Sequence, residues 1–160
     1  MFPVIISFRQ EGNYLKTGSP INDYSYQTTQ TGSEVQTLNN ILLVGLGGFA
    51  GSVLRYSASL LTGYVGWELR WPLVTFVVNL LGSFVIGLFW GWASQLEGAR
   101  TLVLLGIVGF CGGFTTFSAF SFEVLELLRA GDYGLGAVYV LASVILCVGG
   151  AWAGLMLTGK

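Results

Sequence analysis

From Leu38 onward, apolar residues gather into four long runs parted by short polar breaks, at about residues 38–62, 71–94, 101–128 and 133–157. Each run meets or exceeds the ~20 residues that an α-helix needs to cross the hydrocarbon core of a bilayer. The breaks carry turn and cap signals. Gly63-Tyr64-Val65-Gly66 reads as a turn, and Pro72 stands where the first turn of a helix tolerates proline. Residues 95–100 form a short polar loop, and Gly131-Asp132 ends the third run and can cap the fourth. Tyr56, Tyr64, Trp67 and Trp71 crowd one end of the runs and Trp90 and Trp92 the other, as aromatic belts do at a membrane interface. The pattern predicts an all-α membrane protein, with four transmembrane helices within residues 38–160.

Residues 1–37 differ. Beyond the apolar stretch 1–8 they carry Gln, Thr, Ser, Asn, Tyr and scattered charges with neither a helical nor a strand period, which predicts a mobile polar tail. Residues 1–8 leave room for a short amphipathic surface helix. They do not read as a secretory signal, because no basic region precedes them and no small-residue cleavage site follows.

Composition strengthens the membrane reading. Hydrophobic residues make up 53% of the 160 and charged residues only 9%, with mean hydropathy +0.70. A soluble domain carries roughly a quarter charged residues, so this chain has too little polar side chain for a water-facing shell. Seven basic against eight acidic residues supply no basic surface for nucleic acid. The absence of histidine removes the commonest general base and metal ligand, which sets enzymatic hydrolysis aside. Cys111 and Cys147 form no Cys-x-x-Cys motif and lie in apolar runs, where cysteine behaves as a small hydrophobe.

The few charges are evenly split. With four spans, the tail, the 95–100 loop and the C-terminus share one side, which near the membrane holds Arg100 and Lys160. The other side holds Arg70 and Arg129, with Arg55 inside the end of the first span. Two against two gives the positive-inside rule nothing to act on. A chain inserted both ways could form an antiparallel dimer.

Three features stand out within the spans. Small residues recur at helix-packing spacing: Gly47 and Gly51, then Ser83, Gly87 and Gly91, then Gly150 and Gly154. Gly45-x-Gly47-x-x-Ala50 spells a dinucleotide fingerprint but lacks the strand context, so it reads as packing. Asn79 stands in the middle of the second span, with Thr75 and Ser83 four residues to either side, a neutral polar stripe that must face the bundle interior. The third span contains Gly112-Gly113-Phe114-Thr115-Thr116 at mid-membrane depth. Glycine disfavours the helix and threonine offers its backbone another partner, so a non-helical break is predicted near residues 112–116. Carbonyls freed there can coordinate a cation. Phe117 and Phe120 follow on one helical face, and an aromatic ring edge can face an anion.

Taken in order, Gly47-Gly48-x-x-Gly51-Ser52-x-x-Arg55-Tyr56, Val78-Asn79-Leu80-x-Gly82-Ser83-Phe84-x-x-Gly87 and Gly109-Phe110-x-Gly112-Gly113-Phe114-Thr115-Thr116-Phe117-Ser118-x-Phe120-Ser121-x-Glu123 resemble the CrcB, or Fluc, fluoride channels. The resemblance spans about residues 40–158. It implies a passive fluoride channel of the plasma (inner) membrane, built as a dual-topology antiparallel homodimer with two pores and a structural sodium ion (Na+) at the subunit interface. By position, it implies that the Gly112 and Thr115 carbonyls hold sodium. Asn79, Thr75, Ser118, Tyr139 and Ser143 would line the pore, and Phe117 and Phe120 would present ring edges to fluoride. Arg55 would sit in a vestibule with Glu123. The chain departs from the family pattern at Val74, where glycine is common, at Ala119, where threonine is usual, and in its long tail.

Two further expectations concern charge. Arg55 and Glu123 lie at similar depth, roughly 8–11 Å from the same ends of their spans at ~1.5 Å rise per residue, and an unpaired charge there is costly; the two are expected to pair. The competing function is a small dual-topology, proton-coupled multidrug exporter. It needs a membrane-buried carboxylate, which spans one, two and four lack and which Glu123 and Glu126 place only late in span three.

Overall fold

The computed structural model describes the backbone of residues 21–65 and 72–158, and the side chains of residues 33–60 and 72–158. Five α-helices and one π-helix follow in order: α1 (Ile21–Val65), α2 (Leu73–Ala93), a π-helix (Leu102–Cys111), a single turn α3 (Gly112–Phe114), α4 (Phe117–Arg129) and α5 (Tyr133–Thr158). The chain divides into two compact units, Met1–Gln36 and Thr37–Lys160. The surface helix considered for residues 1–8, and Trp67, Trp71, Arg70 and Lys160, lie outside the described residues.

Among the described residues, four stretches are long and apolar enough to cross a membrane: Ser33–Leu60, Leu73–Ala93, Leu102–Arg129 and Tyr133–Thr158. α1 begins at Ile21, well before the apolar run, because a helix once nucleated extends into polar sequence by adding one hydrogen bond per residue. It also continues to Val65, so residues 63–65 are helical and not the turn expected. The most apolar windows of the four stretches are only 11–22% buried within the protomer. Phe49, Leu46, Ile145, Val148 and Trp152 are all exposed. Side chains of this kind face outward only where the surroundings are as apolar as they are.

The core is instead made by backbone approach. A Cβ on Gly87 would collide with the Ala151 carbonyl oxygen, and one on Gly154 with that of Phe84, so α2 and α5 touch main chain to main chain. Gly47 and Gly51 of α1 meet the Leu105 and Phe110 carbonyls in the same way, and Gly113 meets that of Gly48. Between lipid-embedded helices there is no hydrophobic driving force, and close dispersion contact of this kind replaces it.

The loops follow from their glycines. Gly131, at φ +80°, closes α4: its N–H donates to Leu128 O at 3.2 Å and that of Asp132 to Leu127 O at 2.9 Å, the paired bonds of a Schellman cap. Asp132 O then accepts from Gly136 N, leading into α5. At the far end, Gln95 Nε2 donates to Thr158 O and, at 3.1 Å, to Gly91 O, which ties the end of α2 to the end of α5.

Candidate functional site

The helical path of the third span is interrupted at two residues. Thr115 (φ −83°, ψ 157°) and Thr116 (φ −149°, ψ 118°) are extended, and they separate α3 from α4. Three backbone groups around them find substitute partners: Thr116 N, Thr116 O and Ala119 N. Thr116 N donates to Asn79 Oδ1 at 2.8 Å, and Asn79 Nδ2 donates to Thr116 O at 3.1 Å. The Asn79 carboxamide thus pairs with one residue as a neighbouring peptide would. Thr116 Oγ1 caps α4 by accepting from Ala119 N at 3.2 Å, and it shares a hydrogen bond with Ser118 Oγ at 3.0 Å.

These substitutions release particular carbonyls. In a continuous helix Thr116 N–H would serve Gly112 O, but here it serves Asn79. Likewise Ala119 N–H would serve Thr115 O, but here it serves the Thr116 hydroxyl. Arg55 Nε donates to Gly113 O at 3.1 Å, which brings a cationic side chain to the same turn.

Beside the interruption lies a cavity of about 520 Å³. Asn79, Ser83, Gly112, Thr115, Phe117, Phe120 and Ser143 all border it. Phe117 and Phe120 lie with ring centroids 5.6 Å apart and planes tilted by 38°. Phe120 in turn sits 5.1 Å from the Tyr139 ring. Ser143 is 7% exposed, and its hydroxyl is a buried polar atom with no hydrogen-bond partner among the described residues. A buried hydroxyl left unpaired costs about 1–3 kcal/mol, so an unpaired one at a cavity wall marks a place where something polar belongs.

The chain matches the family described as CrcB-like protein, Camphor Resistance (CrcB), over residues 42–155. It belongs to the CrcB family. It is 43% identical over 122 residues to a protein of Azobacteroides pseudotrichonymphae genomovar. CFP2 named "Fluoride-specific ion channel FluC", covering 76% of this chain and 97% of the relative. Proteins of the same name from Coxiella burnetii (43% over 123 residues; 74% and 96% covered) and Phocaeicola vulgatus (39% over 121 residues; 76% and 99% covered) are similar to it in the same way. With four spanning helices and this family, the chain is a multi-pass membrane protein.

In this CrcB chain the residues singled out by sequence fall into three groups. Asn79, Phe117, Phe120, Ser143, Gly112 and Thr115 converge on the cavity, and Ser118 adjoins it through Thr116. Thr75 and Tyr139 sit apart, joined by Glu123: Thr75 Oγ1 donates to Glu123 Oε1 at 2.5 Å and Tyr139 OH to Glu123 Oε2 at 2.7 Å. Arg55 stands against the α3 turn. The pairing expected between Arg55 and Glu123 is therefore corrected. Both Glu123 oxygens are taken by hydroxyls of α2 and α5, and Arg55 is bound to a backbone carbonyl. Rise per residue gives height along a helix but not direction around it, so equal depth does not mean contact.

Two participants are absent from the sequence-derived set. Thr116 carries the α4 cap and both Asn79 bonds, and Gly113 supplies the carbonyl that holds Arg55. A threonine just before an apolar helical run is an N-cap signal, so Thr116 was findable. Gly113 was not, because its partner is 58 residues away.

Proposed function

We propose that this CrcB chain is a passive, selective fluoride channel, not an enzyme, and that it lets fluoride leave the cell across the plasma (inner) membrane. The reading is supported by relatives named fluoride-specific channels that it matches over nearly their whole length. The observation that carries it is the unpartnered Ser143 hydroxyl in a cavity that also holds an amide and two phenyl rings. A small, strongly hydrated anion needs donors to replace its water. Ser143 offers one, and the second N–H of Asn79 Nδ2 offers another, since only one is engaged with Thr116. The ring edges of Phe117 and Phe120 carry positive partial charge.

No charged residue borders the cavity among the described residues. That suits conduction, which requires binding weak enough for the ion to leave. Arg55, held at the α3 turn, would attract anions toward the site without forming its floor. Thr75 and Tyr139 act one step back, donating to Glu123 and bracing α2 and α5 against α4. A proton-coupled exporter would need a carboxylate free to exchange its proton for a cation, whereas both Glu123 oxygens already accept hydrogen bonds.

We further propose the antiparallel homodimer with two pores and a structural Na+ between subunits. Phe117 is 78% exposed on the single chain, and a second copy would cover it. The Gly112 and Thr115 carbonyls, deprived of their helical donors, are hard oxygen ligands of the type that unwound membrane helices offer to sodium. Held by these carbonyls, the ion would supply fixed positive charge between the two copies.

The test is fluoride efflux from proteoliposomes, read by a fluoride electrode. Fluoride should leave without a proton gradient, chloride should stay, and cationic drugs should have no effect. Phe117→Ile or Phe120→Ile should each lower flux about tenfold or more, a loss of ~1.4 kcal/mol or more of ion stabilisation, while the protein stays folded and dimeric. Efflux no faster than from protein-free vesicles would overturn the reading.

A further inference from the structure

The two cysteines have no part in the proposed conduction path, yet both border the same cavity. Cys111 ends the π-helix and Cys147 lies on α5, 36 positions away in sequence, and the fold brings them to one space. Neither forms a disulfide. Cys111 is 2% exposed, and its carbonyl accepts from both Thr115 N (3.0 Å) and Thr115 Oγ1 (2.9 Å). Its main chain is therefore anchored at the turn that precedes the interruption. Cys147 is half-buried and lies one helical turn after Ser143, on the same face of α5. The buried, unpartnered Ser143 hydroxyl thus sits beside Cys147 at the cavity wall.

We propose that Cys147 and Cys111, with the Ser143 hydroxyl beside them, form a site for a soft, thiophilic monovalent cation such as silver(I), and that its occupation closes the cavity to ions. Two sulfur ligands in an apolar cleft select soft cations over the hard sodium and potassium that surround the protein. At Cys147 the S–H bond breaks and an S–Ag bond forms, the proton passing to water; coordination at Cys111 expels its proton in the same way. The metal's oxidation state is unchanged, so no oxidant is required. The blocking effect rests on the channel reading above, whereas the binding site does not.

The two are separable in one experiment on the full chain. Proteoliposomes in chloride-free buffer are treated with silver nitrate, washed, and assayed for retained silver by elemental analysis and for fluoride efflux by electrode, each variant being compared with its own untreated sample. The intact chain should retain about one silver ion per chain, as two soft ligands bordering one cavity imply. Its efflux should fall to that of protein-free vesicles, and a small dithiol should restore it. Cys147→Ala should lose retention and inhibition together, and Cys111→Ala should weaken both. Retention by the Cys111→Ala/Cys147→Ala double variant equal to that of the intact chain overturns the site. Retention without loss of efflux overturns the blocking effect. Should untreated vesicles release no fluoride, the channel reading fails, and silver retention alone decides the site.

Discussion

Asn79 shows how much can depend on one side chain inside a membrane. Its amide closes two hydrogen bonds on Thr116, a residue whose own helix cannot supply them. In lipid no water stands ready to take over. Asn79→Ala should leave one N–H and one C=O without these partners, at ~1–3 kcal/mol for each group. Unfolding in detergent should rank the intact chain above the alanine variant; an alanine variant as stable as the intact chain would show that the extended threonines hold themselves. The inward direction of Asn79 is legible in the sequence, because a carboxamide facing lipid is too costly. Its partner is not, since nothing local ties residue 79 to residue 116. The same limit produced the mistaken Arg55–Glu123 pair.

At the scale of helices, hydropathy alone locates the four spans, because length and apolarity are local properties. Small-residue spacing also marks the faces that meet, and the glycines of α2 and α5 stand against each other's backbone. The ten-residue π-helix at Leu102–Cys111 is not legible in the same way. Side-chain pattern reports which way residues point, whereas i to i+5 bonding here accompanies the docking of Gly109 on Val44 O and of Gly106 on the Phe89 ring. Close packing separates glycines that are needed from glycines that are merely present. A Cβ at Gly87 meets main chain, which cannot swing aside, while at Gly149 it meets nothing within 4 Å. Gly87→Val should force α2 and α5 apart and cost ~1–3 kcal/mol or more. Gly149→Ala should be neutral or gain up to about 1 kcal/mol from helix propensity. Melting temperatures of the two variants in one detergent decide the point, and equal values would mean that α2 and α5 do not approach through Gly87.

For the whole molecule the decisive quantity is charge balance across the membrane. By sequence, the basic residues just outside the spans divide evenly, Arg100 and Lys160 against Arg70 and Arg129, which gives the positive-inside rule little to act on. If the working unit is antiparallel, each orientation is useful only in the company of the other. Extra lysines in the 95–100 loop should hold that loop on the cytoplasmic side, and extra lysines in the 130–132 turn should impose the opposite orientation. A reporter fused to the C-terminus reads the side in each case. Each biased variant expressed alone should then fail to release fluoride, although its helices and their packing are unaltered. Co-expression of the two should restore release, because each supplies the orientation that the other lacks. A parallel assembly predicts the reverse: a single biased variant conducts as well as the intact chain, and mixing adds nothing. The even split of a handful of basic residues thus becomes a structural determinant, acting before folding is complete by deciding which copies are able to meet.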